Sequence, residues 1–363
     1  MALQIRTNQD EDLFVADVTF SSEQSCFNLK CISNVTQTEN DVQIDYVLTP
    51  HQTYRPEDYT VYIFYNKDYI ENNIFQVFES DINKRIGWIF PIQALVSLEH
   101  DFSDNIHFLK YAFIAFQKLL IDQSDCSYKQ IPVTYDKTIS LFDFYPQDSF
   151  VFITCNEITD TIPNFSIKNY YASLYSQGIY ATRGEYGRPV LNHEGQKFSI
   201  SSISNHVKTE DFLIHLFKEL LHSEKHHLVK FYLLYQAVEL LIEKIFNKEI
   251  IDLVNEVTTH TNNLFKLKEE LGNLAREKER ISKLFNQYTS SLGSKQTVMD
   301  YGNQLLSLVG REPKKNASDA LYSVRNLLVH DYRSIPIEGH FLIRNINEAF
   351  EDLIVELLLE ISL

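Results

Sequence analysis

The stretch Leu321-Tyr-Ser-Val-Arg-Asn-Leu-Leu-Val-His330 predicts an amphipathic helix close to the C-terminus. With about 100° between successive residues, its apolar residues fall on one side: Leu321, Val324, Leu327 and Leu328. Arg325 and His330 point away from that side and lie about 140° apart. Asn326 lies one turn before His330 and Val329 one turn after Arg325, so the four residues form a continuous surface. A polar surface that includes an apolar residue favours contact with a partner.

Spacing alone does not single out this arginine and histidine. Two other pairs have a similar spacing: Arg188 with His193, and Arg333 with His340. Pro189 follows the first arginine directly, and Pro336 lies inside the second pair, so neither pair can share one continuous helix. Only Arg325 and His330 lie on an uninterrupted helical run.

Helical spacing extends through the C-terminal half, from about residue 208 onward. An apolar stripe predicts one long helix: Leu228, Phe231, Tyr235, Val238, Ile242 and Ile245. Another helix is expected from Gly293 to about Val309, followed by a break, after which Asn316 with Asp319, or Ser318, can cap the next helix. A second stripe predicts the final helix: Ile343, Ile346, Phe350, Leu353, Leu357 and Ile361. We therefore expect residues 206–363 to form an all-α bundle of about five helices.

The segment 264–288 has apolar residues at alternating steps of three and four: Leu264, Leu267, Leu271, Leu274, Ile281, Phe285 and Tyr288. This spacing is that of a short coiled-coil helix, although Gly272 and Lys278 fit it poorly. Such a helix can pack against the rest of the bundle, or it can protrude as a dimer arm.

The first 205 residues have a different period. Short runs of aromatic and β-branched residues predict strands: 13–20, 42–48, 60–65 and 149–154. One helix is expected between Asn105 and Asp122, where apolar residues recur at helical spacing. Residues 1–205 therefore form a β-rich domain with at least one helix, and the fold class of the chain is α+β.

Composition restricts the class of protein. Of the 363 residues, 44% are hydrophobic and only 10 are glycine and 9 proline, which favours a fully folded chain. No stretch is long and apolar enough for a membrane span, and the N-terminus lacks a signal-peptide pattern, so we expect a cytoplasmic protein without membrane contact. The net charge of −16 argues against nonspecific coating of nucleic acid, although it permits a small basic pocket.

A metal site is not expected from the cysteines and histidines. The four cysteines are scattered and form no Cys-x-x-Cys pair: Cys26, Cys31, Cys126 and Cys155. His222 and His226 have the i, i+4 spacing of zinc-binding helices, but with His227 they fall at an expected helix junction and lack a suitably placed glutamate. We expect neither a metal nor another cofactor.

The segment Arg325-Asn326-Leu-Leu-Val-His330 resembles the signature of the HEPN domains (higher eukaryotes and prokaryotes nucleotide-binding), in which an arginine and a polar residue precede a histidine. The upstream stretch 231–242 is similar to an early helix of that family. The resemblance covers about residues 207–363 and implies an all-α, HEPN-like bundle. It implies nothing about the N-terminal half.

The resemblance implies a metal-independent ribonuclease with an active site at a homodimer interface. His330 would exchange a proton during attack of a ribose 2′-hydroxyl on the adjacent phosphate, a step that histidine suits near neutral pH. Arg325 would hold the phosphate and stabilise its growing charge, and Asn326 would orient His330 or donate to the phosphate. Tyr332 is a candidate substrate contact, as is Glu239, which could reach Arg325 across the bundle or remain a solvated carboxylate.

We therefore expect an endoribonuclease in antiviral defence or toxin-like growth arrest. RNA is its expected substrate, and the N-terminal domain is expected to act as a sensor of a phage-derived or cellular trigger. Many HEPN proteins lack nuclease activity, so the alternative is a non-catalytic protein that dimerises or engages a partner protein or nucleotide.

Overall fold

The structure is a computed structural model, which describes residues 3–6, 11–33, 35–37, 39–67, 70, 72–121, 133–134, 139–184, 188–191, 196–259, 268–269, 271–273, 275–289 and 293–363. The chain divides into two compact units. The first comprises Met1–Ile167 and Gln177–Ser201, and the second comprises Lys168–Ser176 and Ser202–Leu363. A β-rich region is followed by a helical region, which confirms the predicted α+β class.

The first unit contains two five-stranded sheets. Its described strands are β1 (Gln4–Arg6), β2 (Asp12–Ser21), β3 (Cys26–Ser33), β4 (Glu39–Asp45), β5 (Tyr59–Tyr65), β6 (Phe75–Glu79), β7 (Lys84–Pro91), β8 (Val133–Thr134), β9 (Ser149–Cys155) and β10 (Lys197–Ile200). One sheet has the order β4-β3-β2-β1-β8 and the other β10-β6-β7-β9-β5. The pairs β1–β8 and β6–β10 are parallel, and the remaining pairs are antiparallel.

A buried helix and an aromatic cluster form the core of this unit. Helix α1 (Ile106–Ile121) lies inside the expected range, and most of its residues are buried. The ring of Phe116 stacks on that of Phe27 in β3, with centroids 5.1 Å apart. The strand expected at 42–48 ends earlier, at Asp45. Two short helices, α2 (Leu141–Phe144) and α3 (Asn156–Thr159), complete the named helices of this unit among the described residues.

The second unit is a helical bundle. Its described helices are α4 (Tyr171–Ser176), α5 (Asp211–His215), α6 (Leu221–Ser223), α7 (His227–Thr259), α8 (Glu277–Asn286), α9 (Lys295–Leu308), α10 (Ala317–His330) and α11 (Ile337–Glu360). A π-helical turn joins α5 to α6. Helix α11 packs on α7 and α9, and α10 packs on α8 and α9. The predicted long helix, break and final helix are thereby confirmed.

The expected continuous coiled-coil helix over 264–288 is wrong. Arg276 has an extended backbone, with φ −82° and ψ 118°, and α8 begins only at Glu277. Ile281 and Phe285 of α8 are buried, and the helix packs on α7 and α10. The internal-packing alternative therefore applies to α8. Leu264, Leu267 and Leu274 lie outside the described residues.

Helix α10 begins directly after Asn316, one of the two capping residues expected from the sequence. Asn316 has an extended backbone, and its Oδ1 accepts hydrogen bonds from the amide nitrogen of Asp319 at 2.8 Å and from Oγ of Ser318 at 2.8 Å. The amide of Asp319 would otherwise lack a partner within the helix. The cap fixes the residue at which α10 starts.

Replacing Asn316 by alanine should destabilise the helical unit by about 1 kcal/mol, because the amide of Asp319 loses its acceptor. Asn316→Ser should retain most of the stability, since serine is also a good capping residue. Urea unfolding followed by far-ultraviolet circular dichroism measures both changes. Equal stability of the alanine variant and the parent protein would contradict the role of the cap.

Gly87 in β7 lies against the neighbouring strand so closely that a side chain cannot fit. A β-carbon at this position would overlap the carbonyl oxygen of Ile153 in β9. Glycine within a strand commonly marks such a close approach of two backbones.

The variant Gly87→Ala should lower the free energy of unfolding by at least about 2 kcal/mol, as expected for overpacking of a core. Fluorescence of Trp88, which is buried and is the one tryptophan of the sequence, reports directly on this strand. Gly272→Ala is the matched control, because nothing lies within 4 Å of a β-carbon there. A Gly87→Ala variant as stable as this control would refute the close approach.

Candidate functional site

Helix α10 places Arg325, Asn326 and His330 on the side that faces away from the bundle core. The four residues predicted to face the core are all buried: Leu321, Val324, Leu327 and Leu328. Arg325 and Asn326 are partly exposed, and Val329 and His330 are exposed. The predicted orientation of this helix is confirmed.

Three neighbours hold the guanidinium group of Arg325. Its Nη2 lies 3.8 Å from Oε1 of Glu239 in α7, and its Nη1 donates a hydrogen bond of 3.1 Å to Oδ1 of Asn326. Its central carbon lies 5.6 Å from the centroid of the Tyr235 ring. Arg325 and Asn326 thus lie together with Glu239, the residue that was expected either to reach Arg325 or to remain solvated.

The ring of Tyr235 contacts the guanidinium group of Arg325, and a hydrogen bond holds the Tyr235 side chain in place. Its hydroxyl donates a 2.7 Å hydrogen bond to Oε1 of Glu277 at the start of α8. Burial, followed by this hydrogen bond, raises the pKa of the Tyr235 hydroxyl above its ordinary value. The hydroxyl therefore stays protonated near neutral pH. A neutral ring can accept a cation on its face, so Tyr235 contributes a cation–π contact to Arg325.

The geometry leaves part of the guanidinium available to a ligand. The side chain of Arg325 is 24% exposed, and that of Glu239 is 47% exposed. An ion pair of this length and exposure stabilises a protein by about 0–1 kcal/mol. An incoming phosphate, which arginine binds with two parallel hydrogen bonds, can therefore displace Glu239 at small cost.

His330 lies at the opposite end of the same surface, as the last residue of α10. It makes no hydrogen bond or ion pair with the residues that the structure describes. Five residues of helix separate it from Arg325, which corresponds to about 7.5 Å along the axis and about 140° around it. The two side chains of one chain therefore point in different directions from α10.

Tyr332 lies in the short 3-10 turn that follows α10. Its ring packs edge-on against that of His340, with centroids 5.7 Å apart, and its hydroxyl lies 3.4 Å from Nδ1 of His340. The intervening Asp331 pairs with Arg311. Tyr332 is partly exposed close to His330 in sequence, and the structure does not bring it to Arg325 by any contact among the described residues.

The histidines near residue 222 are separated by a helix end. His222 is buried in α6, which ends at Ser223, and α7 begins at His227. His222 and His226 therefore do not share a helix, in agreement with the expected junction. Among the described residues, no three His, Cys, Asp or Glu side chains are grouped so that they could hold a metal ion.

The structure adds residues that the sequence did not indicate as part of a site. Tyr235 was assigned to the core stripe of the long helix, yet its ring also contacts Arg325. It lies one turn before Glu239 on α7, so a predicted contact between Glu239 and Arg325 could have pointed to it.

Asn326 also lines a cavity of about 260 Å³ together with Lys278, Arg311 and Lys314. No local spacing signals this cavity, because its cations come from separate segments.

The searched helices of the described chain include none with the length and apolar character required to cross a membrane. Comparison with known proteins gives no match: no family model matches the chain, and neither a curated protein nor a solved structure is found to be similar to it.

Proposed function

We propose that the protein is a metal-independent endoribonuclease of the HEPN type that acts as a homodimer. The observation that carries the proposal is the outward surface of α10, where a supported arginine, an asparagine and an exposed histidine follow one another on one helix. These residue types suit phosphodiester cleavage by an internal nucleophile.

In the proposed reaction, the 2′-oxygen of a ribose attacks the adjacent phosphorus atom. A bond forms between the 2′-oxygen and phosphorus, and the bond from phosphorus to the 5′-oxygen of the next nucleotide breaks. One histidine accepts the proton of the 2′-hydroxyl, and another proton is delivered to the leaving 5′-oxygen. The products are a 2′,3′-cyclic phosphate and a 5′-hydroxyl end. Arg325 binds the phosphate oxygens whose negative charge increases in the transition state.

The directions of Arg325 and His330 support the involvement of a second copy. Within one chain the two side chains point about 140° apart around the helix. Two copies related by a twofold axis near the end of α10 would place both histidines and both arginines around one RNA strand. One His330 can then act as the base and the other as the acid.

Exposed apolar residues close to His330 in the sequence suggest where the copies meet. Val329 is exposed at the end of α10, and Ile337 and Phe341, at the start of α11, are 81% and 64% exposed. Ile337 and Phe341 are separated by four residues and share a face of the helix. Large apolar side chains grouped on a surface commonly mark a protein interface.

The same observations support one other function. Arg325 is already engaged by Glu239, Asn326 and Tyr235, so it could be a structural residue of a binding protein. In that case the exposed apolar residues would serve dimerisation or the binding of a partner protein or nucleotide, without catalysis. RNA cleavage by the purified protein distinguishes the two.

We further propose that the protein acts in the cytoplasm, in antiviral defence or toxin-like growth arrest, with the N-terminal domain as the sensor of a phage-derived or cellular trigger. The support for this role is the resemblance of the α10 segment to defence and toxin ribonucleases.

The full-length protein should cleave single-stranded RNA in the presence of EDTA and leave 2′,3′-cyclic phosphate ends. His330→Ala and Arg325→Ala should each reduce the cleavage rate by at least about 100-fold, the usual contribution of an acid–base group or of a charge-stabilising donor. His206→Ala is the matched control, because His206 is exposed elsewhere in the helical unit.

A substrate with 2′-O-methyl groups should resist cleavage, since it lacks the nucleophile. Wild-type activity in His330→Ala, or cleavage of the methylated substrate, would contradict the assignment. If no trigger is bound and wild-type activity is absent, the same variants should be compared during expression in cells, by sequencing RNA ends.

The dimer proposal makes a separate prediction for Phe341. Phe341→Glu should shift the protein from dimer to monomer, because it places a charge in an apolar interface, and cleavage should fall with the loss of dimers. Analytical ultracentrifugation measures the mass. Val35→Glu is the control, because Val35 is 84% exposed and lies in the other unit. A monomeric wild-type protein, or a Phe341→Glu variant that dimerises normally, would exclude this interface.

A further inference from the structure

A polar cavity of about 260 Å³ lies beside Asn326 within the helical unit. Its wall is formed by Lys278 at the start of α8, by Leu306 of α9, by Arg311 and Lys314 in the loop between α9 and α10, and by one side of α10. Cavities that enclose a whole organic ligand usually measure about 300–1,000 Å³. This cavity is smaller, so it suits one compact group and its immediate substituents.

The charge of the cavity is opposite to that of the chain. Three cations line it, whereas Asp319 is the one carboxylate in its lining, although the chain has a net charge of −16. Lys278 pairs with Asp319 at 3.0 Å, and Arg311 pairs with the exposed Asp331 outside the lining. Lys314 forms no ion pair with the described residues. A local excess of positive charge therefore remains for an anion.

The backbone holds the two loop cations in place. Asn303 of α9 binds both backbone groups of Lys314: its Oδ1 accepts from the amide at 2.7 Å, and its Nδ2 donates to the carbonyl oxygen at 2.9 Å. The amide of Arg311 donates to the carbonyl of Leu306 at 2.8 Å, in a helix ending that Gly310 permits with its φ of 74°. The cations therefore project from a fixed loop, which lowers the entropic cost of binding a ligand.

Neutral donors complete the lining. Tyr322, Ser323 and Asn326 all project from α10 into the cavity wall. Their two hydroxyls, and Nδ2 of Asn326, have no hydrogen-bond partner within the described part of the protein. Cations and hydrogen-bond donors around a small cavity are the groups that bind phosphate oxygens.

We propose that this cavity binds a phosphate group of an RNA strand, beside the phosphate that Arg325 contacts. The link between the two positions is Asn326, which lines the cavity and accepts a hydrogen bond from Nη1 of Arg325 at 3.1 Å. Binding in the cavity would hold the strand in register with α10. The inference rests on the proposed function for the identity of the strand, while the binding itself requires no cleavage.

The test uses the full-length protein and a short, fluorescently labelled 2′-O-methyl oligoribonucleotide, which retains its phosphates and cannot be cleaved at its 2′-positions. Lys314→Ala should weaken binding about three- to tenfold near 100 mM salt. It should also reduce the magnitude of the slope of the logarithm of the binding constant against the logarithm of the salt concentration by about 0.7, the value for one phosphate contact to a single strand. Lys314→Arg should retain the affinity.

Lys315→Ala is the control for charge, because Lys315 is the next residue, is exposed and does not line the cavity. Lys314→Ala should fold normally, since Asn303 binds only the backbone of residue 314. Equal effects of the two alanine variants would show general attraction by surface charge and would overturn the proposal. So would an unchanged affinity in Lys314→Ala, or binding of adenosine monophosphate or inorganic phosphate as tight as that of the oligonucleotide.

The outcomes separate the two proposals. If binding depends on Lys314 but RNA is not cleaved, the cavity proposal stands and the nuclease proposal fails. If cleavage depends on His330 and Lys314→Ala binds as the parent does, the nuclease proposal stands and the cavity proposal fails.

Discussion

The burial of one face of helix α10 fixes the directions of Arg325, Asn326 and His330. Leu321, Val324 and Leu327 are completely or almost completely buried, and each contributes about 1.5–3 kcal/mol relative to exposure. Rotation of the helix by one residue would turn this face by about 100° and carry Arg325 toward the core. An unpaired charge there would cost several kcal/mol. The apolar pattern therefore permits one orientation, with Arg325 and His330 outward.

On the outward side of α10, two close contacts hold Arg325 in place, but its ion pair is weak. Tyr235 and Asn326 fix the guanidinium of Arg325, whereas Glu239 contributes a long and exposed ion pair. In the proposed function, a phosphate displaces Glu239 from this ion pair. The neighbouring cavity repeats this arrangement, because Asn303 fixes Lys314 through its backbone and leaves the ammonium group unpaired among the described residues. The lining of this cavity thus carries more positive than negative charge in a chain of acidic overall composition.

Features that depend on one helix were predictable from the sequence. The limits of α10, its cap at Asn316 and its buried face all follow from local periodicity and capping chemistry. Four strands of the first unit, β2, β4, β5 and β9, also follow from local patterns, but the order of the strands in the sheets does not. The pairing of β8 with β1 and of β10 with β6 joins residues far apart in the sequence, and no local pattern in a single sequence indicates such a pairing.

The parts of the site that the sequence could not indicate arise from packing between helices. Tyr235 lies on an apolar stripe and would be assigned to the core alone, yet its ring also supports Arg325 from another helix. Lys278 comes from a segment whose spacing suggests one continuous helix. The extended backbone at Arg276 interrupts that helix, and α8 begins at Glu277. The position of Lys278 depends on that interruption.

The central claim is that two copies of His330 meet in the assembled protein. The most direct measurement is the distance between spin labels on His330→Cys, by pulsed electron paramagnetic resonance, in a protein whose other cysteines have been replaced. If the two copies of His330 meet, the measurement should give one narrow distance of no more than two helix diameters, about 20–24 Å. A longer distance, or no coupling between chains, would contradict it.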